Sequence, residues 1–391
     1  MDRNTVIGFV LLALLFFGYF YYTRQGQLVL EKQKQHIQDS LNKIKPRTDT
    51  SLLTAKASDS SLAKKDSLVS GIQQDTTGKE QLVTLENKLV KITFTNKGGQ
   101  PKKVELKNFK TFDGDPLMID DGTFNNISYA INTGANQTAQ TSDLLFTPSS
   151  PHKDANGNEI ISFYLKSQDG QAIEHQFVLK PDNYMIDFVI KINGANKLFT
   201  QNILNLTWQA RAEQKERDID WETQQSHVSF VENDEFDFET LTRGSDDNKK
   251  FESPISWVAL NQQFFATSLV AKNKFTSGEI KWQSPKDTAA HIIGQATANL
   301  KLEVPAGTDA VLPLQLFYGP TDYKILKSYE NQMQNMVPLG SGIFAFVKYV
   351  NRGFIMPVFN FLSGRMVSYG LIIALMTIII RLLISPLTYQ S

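Results

Sequence analysis

The sequence predicts a mainly β protein: one large antiparallel β-sandwich flanked by two transmembrane α-helices, with an amphipathic interfacial helix before the second. Three observations predict it. Apolar and polar residues alternate at period two through the middle of the chain, uncharged apolar runs stand at both ends, and a Phe-rich stripe at helical spacing precedes the second run. The 391 residues balance 40 Lys+Arg against 40 Asp+Glu and are 41% hydrophobic and 11% aromatic. That is apolar material for at least one large core, and it supplies no global field for gripping nucleic acid, which is not an expected partner. The absence of cysteine excludes disulfides, thiolate nucleophiles and Cys-ligated zinc or iron–sulfur centres.

Residues 1–23 read as an uncleaved anchor. Val6 to Tyr22 carries no charge and, at about 1.5 Å per residue, nearly spans a hydrocarbon core of about 30 Å. Phe16, Phe17, Tyr19, Phe20, Tyr21 and Tyr22, followed by Arg24, suit the headgroup level. No small-x-small cleavage site follows Tyr22, which argues against a signal peptide. Residues 24–80 form a flexible polar linker: no Phe, Trp or Tyr stands between Thr23 and Thr93, and Ser, Thr, Asp, Lys and Gln dominate Thr48 to Thr77. Glu31 to Ile44 reads as a short polar helix within it.

Residues 81–320 form the sandwich domain. Val90, Ile92 and Phe94, then Ile161, Phe163 and Leu165, then Ile186, Phe188, Ile190 and Ile192, alternate with polar neighbours as half-buried strands do. Gly98-Gly99, Asp113-Gly114, Asn156-Gly157 and Asp169-Gly170 punctuate the strands, and Pro181-Asp182-Asn183 predicts a hairpin joining Phe177–Leu179 to Tyr184–Ile186. Leu312 to Phe317 reads as the last strand. Many strands in series with few helices between them argue for a sandwich.

Residues 321–365 hold a connecting helix, Tyr323 to Asn335, and an amphipathic segment. Ile343, Phe346, Val347, Val350, Phe354, Val358, Phe361 and Leu362 recur at helical spacing, with Lys348, Asn351, Arg352 and Asn360 off that stripe and interruptions expected near Gly353 and Pro357. Such a segment suits the membrane interface. A helix packed on the sandwich is the alternative. In the interfacial reading Phe346, Lys348, Arg352, Phe354, Pro357 and Phe361 are its working residues.

Residues 366–391 contain the second span, Met366 to Ile384, uncharged except for Arg381. From Asn331 to Ser391 there is no Asp or Glu, while Lys348, Arg352, Arg365 and Arg381 are basic. A guanidinium inside an apolar helix is costly, so Arg381 either faces a bundle interior or water-filled cavity, or snorkels to the headgroups. Pro386, with Leu387 and Thr388, is expected to terminate the helix. Two spans put both termini on one side of the membrane and the sandwich on the other.

Signals for chemistry are weak. Gly98-Gly99-Gln100-Pro101 is neither a P-loop nor a dinucleotide fingerprint, and His36, His152, His175, His227 and His291 lack a metal-ligand spacing, so no metal or cofactor is expected. The acidic stretches Glu213, Glu216, Asp218, Asp220, Glu222 and Glu232, Asp234, Glu235, Asp237, Glu239 read as solvated strand faces.

The order of anchor, exported β-domain, amphipathic segment and Tyr369-Gly370-Leu371-Ile372-Ile373 running into Arg381-Leu382-Leu383-Ile384-Ser385-Pro386-Leu387-Thr388-Tyr389 resembles the YidC/Oxa/Alb family of membrane protein insertases. Its sharpest element is Arg-x4-Pro-Leu-Thr. The resemblance implies a periplasmic β-supersandwich on an inner-membrane protein and a positively charged groove, built by five membrane helices, that serves as a chaperone surface without enzymatic activity. Arg381 falls on the groove arginine, which attracts hydrophilic parts of a substrate. The implied partners are nascent membrane proteins, the Sec translocon, the ribosome and membrane lipid. The family continues past this point with a cytoplasmic hairpin and further spans, so the chain is expected to be an incomplete N-terminal portion. Two rival readings are a two-span membrane-anchored periplasmic adaptor or ligand-binding protein, and a carbohydrate-active periplasmic enzyme.

Overall fold

The computed structural model describes residues 78–122, 124–134, 136–167, 170–340 and 347–389. The chain divides into units Met1–Asp66 and Ser67–Ser391, and every described residue belongs to the second. The expected anchor, nearly all of the linker, and Phe346 therefore lie outside the described residues.

Three antiparallel sheets make up the domain. The first follows chain order: β1 (Leu82–Glu86), β2 (Val90–Thr95), β3 (Gln100–Lys110) and β4 (Pro116–Asp120). A six-stranded sheet combines β5 (Asn126–Gly134), β6 (Gln137–Gln140), β12 (Ile203–Glu213), β15 (Asp246–Phe251), β18 (Ser277–Gln283) and β19 (Ile292–Glu303) in the order β15-β18-β19-β12-β5-β6. The ten-stranded sheet runs β14-β13-β16-β17-β20-β11-β10-β9-β7, with β8 also on β9. Its members are β7 (Thr147–Pro148), β8 (His152–Lys153), β9 (Glu159–Lys166), β10 (Ala172–Leu179), β11 (Met185–Asn193), β13 (His227–Glu232), β14 (Glu235–Thr240), β16 (Ile255–Gln262), β17 (Phe265–Phe275) and β20 (Asp309–Pro320).

The period-two stretches are the strands expected. In β11, Ile186, Phe188, Ile190 and Ile192 are buried while Asp187, Val189 and Lys191 are half-buried, and the Pro181–Asn183 turn pairs Leu179 with Ile186. Asp182 takes the turn's positive φ of 52°. Asn233 and Asp234 do the same at φ 52° and 63° in a two-residue loop between paired Glu232 and Glu235, the geometry that favours Asn and Asp. Gly99, at φ 56°, has no room for a side chain, since a Cβ would stand 2.9 Å from Phe163 Cβ. One contiguous core results, with Phe94, Phe163, Phe177, Phe188, Trp208 and Trp257 among its fully buried members.

β16 is buried along almost its whole length because both faces are covered. Gln262 reaches the carbonyl of Glu213 at the end of β12, whereas Trp257, on the opposite face by the strand's alternation, donates from Nε1 to the carbonyl of Asn331 at 2.8 Å. The cover on that outer face is the connector that follows β20.

Short helices are α1 (Ala195–Leu198), α2 (Ile219–Gln224), α3 (Tyr323–Lys327) and α4 (Val347–Val350); α5 (Met356–Ser363) and α6 (Tyr369–Tyr389) follow. The helix expected over Tyr323 to Asn335 is interrupted: α3 ends early, Glu330 and Gln332 adopt positive φ of 55° and 69°, and only a 3-10 turn, Met333–Met336, follows. The interruption lets Leu326, Met333 and Met336 all reach the core. Pro386 does not terminate the last helix, which runs on to Tyr389. Proline there removes one backbone donor and crowds the carbonyl of Leu382 four residues back, a local cost that does not by itself end a helix. Among the described residues no helix is long and apolar enough to cross a membrane.

Candidate functional site

The polypeptide leaves β20 through a sequence of specific contacts. Asp322 caps α3, its Oδ1 accepting from the backbone N–H groups of Lys324 at 2.8 Å and Ile325 at 3.0 Å. Further on, Asn351 Nδ2 donates to the Leu339 carbonyl at 2.8 Å, and Arg352 donates from Nε to the Tyr323 hydroxyl at 2.8 Å and from its terminal nitrogen to the same oxygen. The Arg352 guanidinium also stands 5.2 Å from the centroid of the Tyr323 ring, within cation–π range. These two polar residues fall in a π-turn, Asn351–Ile355, between α4 and α5, around the Gly353 interruption that the sequence signals; Pro357 stands at the start of α5. The polar side of the amphipathic segment thus grips the connector.

Its apolar residues are partly uncovered. Phe354 is half-buried and Phe361 is 58% exposed, with the Arg365 guanidinium 3.8 Å from its ring centroid. Lys348, Pro386, Leu387 and Thr388 lie in helices, but their side chains are outside the described residues. Phe359 stacks on Tyr369 at 6.4 Å, joining α5 to α6, and Ile372 and Met376 are buried. Much of the described part of α6 is open: Leu371, Ile373, Ile378, Leu382, Leu383 and Ile384 are each at least half exposed, and Arg381 is exposed among them. Arg381 therefore sits on a different helix from Arg352, Phe354 and Phe361.

A second feature was not legible in the sequence. Between the outer face of the ten-stranded sheet and the connector lies a cavity of about 520 Å³, walled by His227 and Ser229 of β13, Phe236 and Phe238 of β14, and Tyr323 and Gln334 of the connector. Glu235 and Asp234 stand at it too, and Asp234 is held by Lys274 at 2.7 and 2.8 Å. The ladder sets His227 opposite Asn261, and Ser229 opposite Ala259, whose other neighbour is Ser268, so these residues share the covered face. Of the cavity's lining atoms, His227 Nδ1, Ser229 Oγ and Gln334 Oε1 are buried without a hydrogen-bond partner; among the described residues Asn261 Oδ1, Ser268 Oγ and Gln263 Oε1 share that condition but do not line it. Burial pushes the His227 imidazole down to about 4, so it is neutral at neutral pH and Nδ1 is able to accept.

His36 lies outside the described residues, and the other remaining histidines are structural or superficial. His175 is buried between Phe146 and Phe188; the Gly99 carbonyl, an acceptor only, takes Nδ1–H at 2.9 Å, which leaves Nε2 to accept from the Tyr129 hydroxyl at 2.7 Å. The pair is closed and offers nothing to a substrate. Burial lowers His175 to about 4 from its ordinary 6.5. As pH falls the unfolded chain takes up the proton first, so this contribution is complete above about pH 6.5 and lost towards pH 4. The stability advantage of the wild type over His175→Leu should grow by about 3 kcal/mol as urea denaturation is followed from pH 4 to 6.5, then level off. A flat difference would show that His175 is protonated in the fold.

The acidic stretches differ from the expectation in one respect. β14 is largely exposed, as a solvated face should be, and Asp218 caps α2 by accepting from Trp221 N at 2.9 Å. Glu222 instead is buried at 1% exposure and accepts from the backbone N–H of Lys215 and Glu216 and from Gln262 Nε2. It pins a loop, and no cluster of His, Asp and Glu able to hold a metal is present among the described residues.

Three antiparallel sheets that lead into an acid-free, amphipathic helical tail define the class: a large β-domain protein with a helical C-terminal extension. Residues 82–349 match the family described as the YidC periplasmic domain. The chain belongs to the YidC family. It is 29% identical to the membrane protein insertase YidC of Parabacteroides distasonis and 30% identical to that of Phocaeicola vulgatus, in each case over the whole of this chain and 64% or 63% of the relative. The chain thus spans somewhat under two thirds of the length of these relatives. Among solved structures it is similar to a putative mutarotase from Salmonella typhimurium, at 9% identity and a TM-score of 0.41 over 64% of this chain and 93% of that one, a likeness too loose to bear on activity.

Proposed function

We propose that this chain is part of an inner-membrane insertase and chaperone, its sandwich domain in the periplasm, that helps integral membrane proteins insert and fold without catalysing a covalent step. In this reading residues 1–23 and α6 lie in the bilayer, and α4 to α5 lie in its interface with Phe354 and Phe361 towards lipid. Nascent membrane proteins, the Sec translocon and the ribosome are its partners.

The observation that carries the reading is Arg381, a lone cation exposed between Ile378 and Leu382–Ile384 in a tail that has no acidic residue. A guanidinium there keeps its charge and draws acidic or hydrophilic substrate segments part-way into an apolar environment, where attraction is far stronger than in bulk water. The relatives, named as insertases, support the same role.

The test is Arg381→Glu beside Arg381→Lys in the complete protein in native membranes. Insertion of a substrate with an acidic translocated tail should fall about tenfold or more with glutamate and be largely retained with lysine, at equal expression. Normal insertion by the glutamate variant would remove Arg381 from the mechanism.

A further inference from the structure

We propose that the cavity between β13–β14 and the connector binds an organic cation, a primary ammonium or guanidinium group. The orphaned atoms that line the cavity are all able to accept hydrogen bonds: Gln334 Oε1 only accepts, and Ser229 Oγ and His227 Nδ1 are able to. Ser229 is 1% exposed, so bulk solvent does not satisfy it, and buried polar groups left unpaired are costly enough to call for a partner.

Charge and shape point the same way. Glu235 stands at the cavity beside Asp234, whose carboxylate Lys274 already holds, and among the described residues no Lys or Arg lines it. The rings of Phe236 and Phe238 stand 6.1 Å apart on one wall, Phe238 packs edge-on against His227 at 4.8 Å, and the face of such rings attracts cations. An anion would meet carboxylates and carbonyl oxygens, and a purely apolar group would leave the acceptors unpaired. A group that donates several hydrogen bonds, carries positive charge and tolerates aromatic walls satisfies all three. The volume of about 520 Å³ is in the range of small-ligand sites. The protein already uses this chemistry at the margin, where Lys274 holds Asp234 and Arg352 stacks on Tyr323.

The cation has two possible sources, the headgroup of an aminated lipid or a basic side chain of a polypeptide. The probes are N-acetyl-lysine methylamide, N-acetyl-arginine methylamide and the uncharged N-acetyl-norleucine methylamide, titrated calorimetrically into the full chain in phosphatidylcholine nanodiscs. At least one of the two cationic probes should bind and norleucine should not. Glu235→Gln and Phe238→Leu, both at exposed positions, should each weaken binding about tenfold with unchanged unfolding midpoints. Loss of binding in nanodiscs containing phosphatidylethanolamine would make the lipid headgroup the occupant, and unchanged binding there would make it a polypeptide side chain; both sustain the cation site. Failure of both cationic probes, equal binding of norleucine, or full affinity in both variants would overturn it.

Discussion

Glu222→Ala is expected to destabilise the domain by about 3–5 kcal/mol, because it strands several buried donors at once. The carboxylate accepts from Lys215 N at 3.1 Å, Glu216 N at 3.1 Å and Gln262 Nε2 at 2.5 Å, and Gln262 in turn reaches the carbonyl of Glu213. Burial pushes the Glu222 carboxyl up while these donors pull it back, which is the condition of a group retained for its hydrogen bonds. Glu222→Gln keeps one acceptor but turns an amide N–H towards donors, so its loss should fall between those of wild type and alanine. Urea denaturation followed by tryptophan fluorescence measures both. An alanine variant within about 0.5 kcal/mol of wild type would show that water replaces the carboxylate at no cost, and that the loop is not pinned there.

Phe177→Ala should cost a similar amount, about 3–5 kcal/mol, for a different reason. Its ring is fully buried, stacks on Phe188 at 4.6 Å and 5°, and lies 4.7 Å from Phe94 and 6.2 Å from Phe163. Phe94 belongs to the four-stranded sheet and the other rings to the ten-stranded one, so the cluster joins two sheets that share no ladder. Alanine leaves a cavity that the rigid strands are unable to close, whereas Phe177→Leu, which fills most of it, should lose less than half as much. Equal losses for the two variants would mean that the aromatic contacts, and not the volume, hold the sheets together.

Phe177 shows what the sequence makes legible. A side chain on every second position of a strand is a local pattern, and the alternation in β2, β9 and β11, together with the Pro181–Asn183 turn, marks strands, faces and a hairpin without knowledge of the fold. Glu222 shows where this fails. Its burial depends on Gln262 and on the turn at Lys215, partners brought together by topology, and nothing periodic distinguishes it from the solvated acids around it. The cavity is illegible for the same reason: His227, Phe238 and Gln334 meet only because the connector folds back over the outer face of the sheet. Arg381 stands out in the sequence because a charge in an apolar run breaks a local rule; Arg352 stands out only as one polar residue off a stripe, and its grip on Tyr323 requires the structure. Pro386 reads as a stop in the sequence, yet the helix runs past it to Tyr389, because one lost donor is a local cost that neighbouring bonds outweigh.

The π-turn at Asn351–Ile355 has a geometric effect on everything beyond it. Each residue of a regular helix advances the side-chain direction by about 100°, so a turn that accommodates one residue more sets the following helix out of phase with the preceding one by about that angle. A straight α-helix would present one continuous stripe to one environment. With the phase offset, Asn351 and Arg352 at the opening of the turn hold the connector while the residues after it are released to face elsewhere, so a single short segment serves as a coupling between two surfaces that need not be parallel.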